Sequence, residues 1–466
     1  MAENNSNVAD KSAKNNYCTT KSERFFYGFY FFGQIIFYII VGNFLSLYMT
    51  DLGIPAVVVA GVFLVAKIWD AVNDPLFGVI VDKANLKGGK YLPWVRLSTF
   101  LIPATTILLF AVPSNLSVQI KTIWVAIAYM LWDTSYTLCD VPIFALATSM
   151  TDNLKERNGL LLFNRLFVLI GGLFAIIVVP IAYPKIGWTM TVLILAVLGI
   201  AAMLPIGYKA KERFFVEDKK EPKIGELFSY LVHNKYLLVL SGAIIISSLT
   251  SLSGTVTSYV AIYCLGGKEW ISVLGVIMTL PMLVAVIVTP QLIKKIDKFI
   301  VYIVCVGIGY VLSIVIYFIG YQNTTLLMAI IAVRSIFSSM SGIIVVMLVA
   351  DCAEYGNFVS GERAQGIAFS VQTFTTKITA ALSGSISMFF LGIIGFVEGE
   401  GAAQTPETIA WLWRMFTIVP LISGTASFFL LILGYKLRSK DVEIMLKVNA
   451  GEMEKEEALP LLSRKY

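Results

Sequence analysis

Apolar runs of about 20 residues or more recur along almost the whole chain, and short charged breaks separate them. A helix needs roughly 20 apolar residues to cross the hydrocarbon core of a membrane. Only 14% of the 466 residues are charged, against about 25% in soluble domains. The pattern predicts a polytopic membrane protein. Membrane-barrel strands of about ten alternating residues are excluded as the main element, because these runs are much longer.

The apolar runs predict about twelve membrane-spanning helices. Their expected ranges are 25–50, 54–81, 93–112, 120–146, 160–183, 188–207, 236–263, 270–292, 299–320, 325–350, 366–396 and 408–435. A polar middle loop at 208–235 separates two six-helix bundles, as in membrane folds built from repeated halves. We therefore expect an all-α polytopic architecture with bundles at 25–207 and 236–435, and tails at 1–24 and 436–466. A short amphipathic helix is predicted at 224–234.

The positions of the basic residues predict the orientation. Lysine and arginine fill one alternate set of loops and both tails, whereas the other set holds only Lys121, Lys185 and Lys268. Positive loops stay cytoplasmic, so both termini are expected on the cytoplasmic side of the plasma or inner membrane. This topology accounts for the net charge of +6, and no nucleic-acid partner is expected. Residues 1–24 lack the features of a cleavable signal peptide, and the five scattered cysteines predict free thiols.

Three predicted spans carry polar stripes, because residues three or four apart share one helix face. The stripe of the second span, within KIWDAVNDPLFG, is Lys67, Asp70, Asn73 and Asp74. That of the fourth span is Tyr136, Thr137, Asp140 and Phe144, and that of the eleventh is Thr373, Thr376 and Lys377 with Gln372 adjacent. A charge in mid-membrane costs at least about 2.5 kcal/mol and usually faces a cavity and a partner. We expect the stripe of the second span to face that of the fourth rather than lipid.

The carboxylates of Asp70, Asp74 and Asp140, with the Asn73 amide and the Thr137 hydroxyl, are hard oxygen ligands. Such groups suit Na⁺, and buried carboxylates can instead carry a proton. A purely structural ion network is the alternative. Carboxylates four residues apart on a helix repel each other, which favours a cation site.

Three further charged residues have a structural interpretation. Asp133 lies two turns from Asp140 and is interpreted as structural. Arg334 and Arg414 are interpreted as residues that snorkel toward the interface or pin helices together.

Several motifs together resemble the signature of the glycoside–pentoside–hexuronide:cation symporters, a family of the major facilitator superfamily. The stretches are YGFYFFGQ (27–34), WDAVNDPLFG (69–78), VDK (81–83), GGKYLPW (88–94), YTLCDVP (136–142), NRLF (164–167), ADCAEYG (350–356) and IAFSVQTFTTK (367–377). The resemblance covers both halves, from about residue 27 to 440.

The resemblance implies three groups of functional residues. The cation site comprises Asp70, Asn73, Asp74, Thr137 and Asp140. The substrate site comprises Tyr136, Asp140, Phe144, Arg165, Gln372, Thr373 and Lys377. Coupling or gating positions are Lys67, Gly78, Asp82, Lys83, Asp351 and Arg363, with the Gly78–Lys83 stretch as a cytoplasmic latch.

The chain departs from the best-known family member at four positions. A Lys–Asp pair in the first span reads Gln34 and Ile35 here, and two tryptophans are replaced by Phe144 and Gly342. The loss of the aspartate weakens the expected grip on sugar hydroxyls, whereas Arg165 and Lys377 would suit an anionic hexuronide. Gly342 would leave room for a larger glycoside.

The resemblance implies a symporter that imports a glycoside, oligosaccharide or hexuronide by alternating access, driven by Na⁺ or H⁺. No cofactor is expected, membrane lipid is the surrounding partner, and the monomer is expected to be functional. A lipid or lysolipid symporter and a non-transporting sugar sensor are the alternatives. An enzyme is not expected, because the spans hold no histidine, no metal-ligand spacing and no nucleophile beside a base. A channel would conduct ions without solute.

Overall fold

The structure is a computed structural model that describes residues 18–83, 88–214, 224–247, 252–361 and 365–464. Within the described residues the regular elements are helices. Nine described stretches are long and apolar enough to cross a membrane. The all-helical membrane architecture is thus confirmed. The number of twelve spans stays a prediction, because only the described residues enter the count.

The helices fall into two compact units. The first contains the described residues of Met1–Leu45 and Val65–Asp218, and the second those of Ser46–Leu64 and Lys219–Tyr466. The end of the first helix and the start of the second therefore belong to the second unit. The bundle boundaries given in the sequence analysis stay predictions.

Six helices carry the first unit, and the first two extend into the second. They are α1 (Lys21–Asp51), α2 (Ala56–Lys83), α3 (Leu92–Phe110), α4 (Val118–Met150), α5 (Leu154–Ile186) and α6 (Trp188–Lys209). The buried core joins aromatic residues of α1 to aliphatic residues of α4, among them Tyr30 and Ile143. The Tyr30 hydroxyl lies 3.0 Å from Ser98 Oγ on α3 and 2.8 Å from Cys139 Sγ on α4. This polar contact fixes α1 against the face of α4 that continues into the predicted site.

A glycine brings α1 and α5 close together. A Cβ added at Gly171 would lie 2.7 Å from the Phe32 carbonyl oxygen and 2.6 Å from Ile35 Cγ2. Only a residue without a side chain allows that approach. Ile35, one of the departures from the family pattern, therefore packs against the α5 backbone.

The remaining helices belong to the second unit. They are α7 (Ile224–His233), α8 (Lys235–Ser247), α9 (Leu252–Tyr263), α10 (Glu269–Thr279), α11 (Met282–Ile293), α12 (Lys298–Ile319), α13 (Thr324–Ser360), α14 (Gln365–Ile393), α15 (Pro406–Thr417), α16 (Val419–Gly434), α17 (Ser439–Asn449) and α18 (Lys455–Ala458), followed by a 3₁₀ turn at Leu459–Leu461. The predicted amphipathic helix of the middle loop is present as α7. Its location at the inner membrane surface stays a prediction.

The segment after α16 is folded against the end of α13. The Asn449 side-chain nitrogen donates to Glu354 Oε2 at 2.8 Å, and Lys455 Nζ donates to the Phe358 carbonyl at 2.7 Å. Asp441 accepts the backbone N–H of Ser463 at 2.8 Å. The region expected as a tail is therefore part of the second unit's packing.

Candidate ion and substrate site

The polar stripe of α2 meets the polar stripe of α4 in the first unit. Asn73 is buried, and its side-chain nitrogen donates to Thr137 Oγ1 at 3.1 Å. Beside this contact on the α2 face, Lys67 Nζ lies 3.4 Å from Asp70 Oδ2. The expectation that these stripes face each other is confirmed for the described side chains.

Asp140 is fixed by a residue of α1. Gln34 is buried, and its Nε2 donates to Asp140 Oδ1 at 2.9 Å. The charge of Asp70 also acts on Asp140. Gln34, one of the departures from the family pattern, therefore supplies a donor to the carboxylate that the sequence assigns to both ion and substrate.

Asp133 belongs to the same cluster, although its sequence position pointed only to a structural role. Its Oδ1 lies 3.9 Å from Lys67 Nζ, and its carboxyl group interacts with that of Asp70. The residue is only 7% exposed. The sequence signal was the seven-residue spacing to Asp140, which places both on one helix face two turns apart.

Two buried oxygen atoms of the cluster receive no hydrogen-bond donor among the described residues. They are Asn73 Oδ1 and Asp133 Oδ2. A buried polar atom without a partner typically costs about 1–3 kcal/mol, so such atoms call for an explanation such as an ion. Amide and carboxylate oxygens are the ligands that small hard cations prefer.

Part of the predicted ion site lies outside the described residues. The side chains of Asp74, Gly78, Asp82 and Lys83 are not among those described, and neither is Arg363. Among the described residues no group of three or more histidine, cysteine, aspartate or glutamate side chains is arranged to hold a metal. A Na⁺ site at Asp70, Asp74 and Asp140 therefore stays a proposal.

The predicted substrate residues of the first unit form an aromatic surface beside the charged cluster. The Tyr136 ring lies 5.2 Å from the Trp132 ring and 5.5 Å from the half-exposed Tyr38 ring. Phe144 is 48% exposed and packs on Phe31 at 5.3 Å between ring centroids. Flat, partly exposed aromatic rings of this kind offer apolar faces to a ligand.

Two substrate candidates of the first unit differ in setting. Arg165 is exposed on α5, whereas Asp140 is held by a hydrogen bond from Gln34.

The Trp69 Nε1 atom donates to Thr134 Oγ1 at 2.9 Å, a second α2–α4 contact that the sequence analysis did not identify.

The predicted site residues of the second unit lie on α13 and α14. Gln372 is half-buried, and Thr373 and Lys377 are exposed on α14. Asp351, assigned to gating, is buried on α13 and receives a hydrogen bond from Lys298 Nζ at 2.6 Å. A Cβ added at Gly342 would meet no atom within 4 Å, so the replaced tryptophan position is open space within this unit.

The sequence matches the family described as MFS/sugar transport protein over residues 26–439, and the chain belongs to that family. This membership confirms the family resemblance drawn from the motifs. Proteins of this class are transporters.

Curated relatives match most of the chain. The chain is 29% identical over 427 residues to the "Uncharacterized symporter YjmB" of Bacillus subtilis (strain 168), covering 89% of this chain and 92% of that protein. It is 29% identical over 423 residues to the "Isoprimeverose transporter" of Lactiplantibacillus pentosus, covering 86% of each.

A solved structure supports the fold alone. The chain superposes on the nucleoside transporter NupG with a TM-score of 0.62 at 13% sequence identity. The superposition covers 90% of this chain and all of the other.

Proposed function

We propose that this protein is a secondary symporter that couples the import of a glycoside, oligosaccharide or hexuronide to a monovalent cation. The observation that carries the proposal is the buried Asn73 carbonyl oxygen, which has no donor among the described residues and lies one turn from Asp70 on α2. The family membership and the names of the relatives support sugar symport.

The proposed ion site is formed by Asp70, Asn73, Asp74, Thr137 and Asp140. Asp70 and Asn73 lie on α2, and Thr137 receives the Asn73 amide across the α2–α4 contact. A bound Na⁺ would use the free Asn73 oxygen, and a proton would instead reside on a carboxylate. In both cases the cation offsets the repulsion among carboxylates that share the site.

The proposed substrate site includes Asp140, Arg165 and the aromatic rings of Tyr136 and Phe144. A carboxylate accepts protons from sugar hydroxyls, and a guanidinium donates two parallel bonds. For the second unit the proposal assigns Gln372, Thr373 and Lys377 of α14 to substrate. Because Gln34 already donates to Asp140 Oδ1, the second carboxylate oxygen is the one proposed to receive substrate.

Coupling follows from the shared residue. Asp140 belongs to both groups, so a cation that orders Asp140 favours substrate, and substrate favours the cation by the same factor. Alternating access around a midplane site would carry both inward. We propose a plasma or inner membrane location with both termini cytoplasmic, no cofactor, and a functional monomer.

The proposal is tested by reconstituting the purified protein in vesicles. Uptake of a panel of glycosides and hexuronides is measured with an imposed Na⁺ gradient, an imposed H⁺ gradient, or neither. We expect accumulation of at least one solute with one gradient, and loss of that accumulation in Asp70→Cys. Asp152→Asn, an exposed carboxylate outside both groups, is the control. Full gradient-driven uptake by Asp70→Cys, or no accumulation of any solute by the native protein, would contradict the proposal.

A further inference from the structure

Three charged groups meet at the α2–α4 contact with unequal charge. Lys67 Nζ lies 3.4 Å from Asp70 Oδ2 and 3.9 Å from Asp133 Oδ1. One ammonium therefore lies within 4 Å of two carboxylates on different helices. With every group ionised, the trio carries a net negative charge, and Asp133 is only 7% exposed.

The two carboxylates are not equivalent. Asp70 lies on α2, one turn before Asn73 and within the proposed ion site. Asp133 lies on α4, is only 7% exposed, and its Oδ2 receives no donor from the described residues. Asp133 is thus a buried carboxylate that has Lys67 as its nearby cation, the Asp70 carboxylate as its neighbour, and one oxygen that no described group donates to. A buried carboxylate of this kind strongly favours a full positive partner.

The lysine is suited to serve either carboxylate. Its side chain is about one quarter exposed, and four rotatable bonds let the ammonium shift while its backbone stays in α2. The distances from Lys67 Nζ to Asp70 Oδ2 and to Asp133 Oδ1 are similar, 3.4 Å and 3.9 Å, so rotation about one side-chain bond can bring the ammonium closer to either oxygen. Lys67 can therefore exchange Asp70 for Asp133 without any helix movement.

We propose that Lys67 is a tethered cation that competes with the coupling ion at Asp70, and that Asp133 is the place to which its ammonium moves when that ion binds. This inference rests on the proposed symport function and adds Asp133 as a positioning residue. A coupling ion at Asp70 repels the nearby ammonium. Without Asp133 the displaced ammonium would be buried without a counter-charge, which is strongly unfavourable.

The same movement links the ion to α4. Asp133 precedes Thr137 by one turn and Asp140 by two, all on one face of α4. Transfer of the ammonium therefore changes the charge beside the helix that carries both the Asn73 partner and the proposed substrate carboxylate. In the ion-free protein Lys67 holds Asp70, which keeps the carboxylates from repelling each other.

The test is a double-mutant cycle on the cation concentration that half-saturates uptake in vesicles. Asp133→Asn is expected to raise that concentration about tenfold, within the range typical of coupled sites, because Lys67 then stays on Asp70. Lys67→Gln is expected to lower it, because the competitor is gone. In the Lys67→Gln background, Asp133→Asn is expected to change it less than about twofold.

The control is Ser135→Ala on the same helix. Ser135 is buried, and within the described part of the chain its hydroxyl donates to the Leu131 carbonyl of its own helix. Its half-saturating concentration is expected to equal that of the native protein. Cation-induced thermal stabilisation in detergent gives the same ranking without transport. If Asp133→Asn does not fold, Lys67→Gln alone still tests the competition, and Asp133→Glu is expected to behave like the native protein.

Two results would overturn the inference while leaving symport intact. One is an unchanged half-saturating concentration in Asp133→Asn or in Lys67→Gln. The other is an equal rise on Asp133→Asn with and without Lys67, which would make Asp133 a direct ligand of the ion. Cation-independent behaviour of the native protein in both assays would overturn the proposed function and this inference together.

Discussion

Glu156 belongs to none of the functional groups described above, yet its carboxylate accepts four hydrogen bonds. Its carboxylate accepts the backbone N–H groups of Cys18 at 2.9 Å and Thr19 at 2.8 Å, the Thr151 hydroxyl at 2.6 Å, and the Thr19 hydroxyl. The residue is only 1% exposed. It therefore ties the start of the described chain to the connection between α4 and α5.

Glu156→Gln keeps the shape and replaces one acceptor oxygen with an amide that donates. The oxygen Oε2 accepts from Cys18 and Thr151, and Oε1 accepts both Thr19 groups. Whichever way the amide is turned, one backbone N–H loses its acceptor, and the hydroxyl beside it must turn to accept from the amide. Hydrogen bonds to charged groups contribute about 1.5–3 kcal/mol each, so the loss of one bond and of the charge in the others is expected to cost about 3 kcal/mol.

The assay is the apparent melting temperature of the purified protein in detergent, combined with the rate of maleimide reaction at Cys18. A loss of about 3 kcal/mol is expected to lower the melting temperature by roughly 5 °C. Cys18 is half-buried beside this carboxylate, and release of residues 18–19 is expected to speed its labelling several-fold.

The matched control is Asp152→Asn. Asp152 is exposed, and among the described residues its one hydrogen-bond contact is with the Cys18 thiol at 3.7 Å. Surface changes of this kind usually fall within about 0.5 kcal/mol. Native-like melting and native-like Cys18 labelling in Glu156→Gln would refute the reasoning, because they would mean that the four contacts contribute nothing measurable.

Three further outcomes follow from particular contacts. Gly171→Val is expected to reduce the folded yield markedly, because a Cβ there would lie 2.7 Å from the Phe32 carbonyl; a native elution profile in size-exclusion chromatography would contradict this. Arg334→Met is expected to leave the melting temperature unchanged or raise it, because the buried guanidinium has no carboxylate partner among the described residues and replacement of buried charge by apolar volume is often stabilising. A drop of several degrees would instead assign Arg334 an essential contact. Burial raises the pKa of the Cys264 thiol to about 12, and the thiolate is the form that reacts with alkylating reagents. Mass spectrometry after treatment at pH 8 is therefore expected to find Cys264 alkylated only in the unfolded protein. Rapid alkylation of the native protein would contradict this.

The helical membrane architecture was predictable because long apolar runs leave few alternatives. The α2 stripe was equally visible, since residues at three- and four-residue spacing share a face regardless of what surrounds the helix. The Asn73–Thr137 hydrogen bond confirms that the α2 and α4 stripes lie against each other.

Contacts between helices distant in sequence were not predictable in the same way. From the sequence, Gln34 indicated the loss of a charged partner. In the structure its Nε2 lies 2.9 Å from Oδ1 of Asp140, a residue 106 positions away. Asp133 was interpreted as a structural residue, because nothing in the sequence shows that the Lys67 ammonium on α2 lies close to its carboxylate on α4. Both depend on how helices rotate and approach, which a periodic pattern leaves undetermined.

The fold of the segment after α16 has a consequence for how the protein is made. Asn449 and Lys455 bond the end of α13, and Ser463 bonds Asp441. Domains usually fold in order during synthesis, so the first unit can mature while translation continues. The second unit lacks these contacts until its last helices have left the ribosome, and its surface at Glu354 stays open to other proteins for that interval.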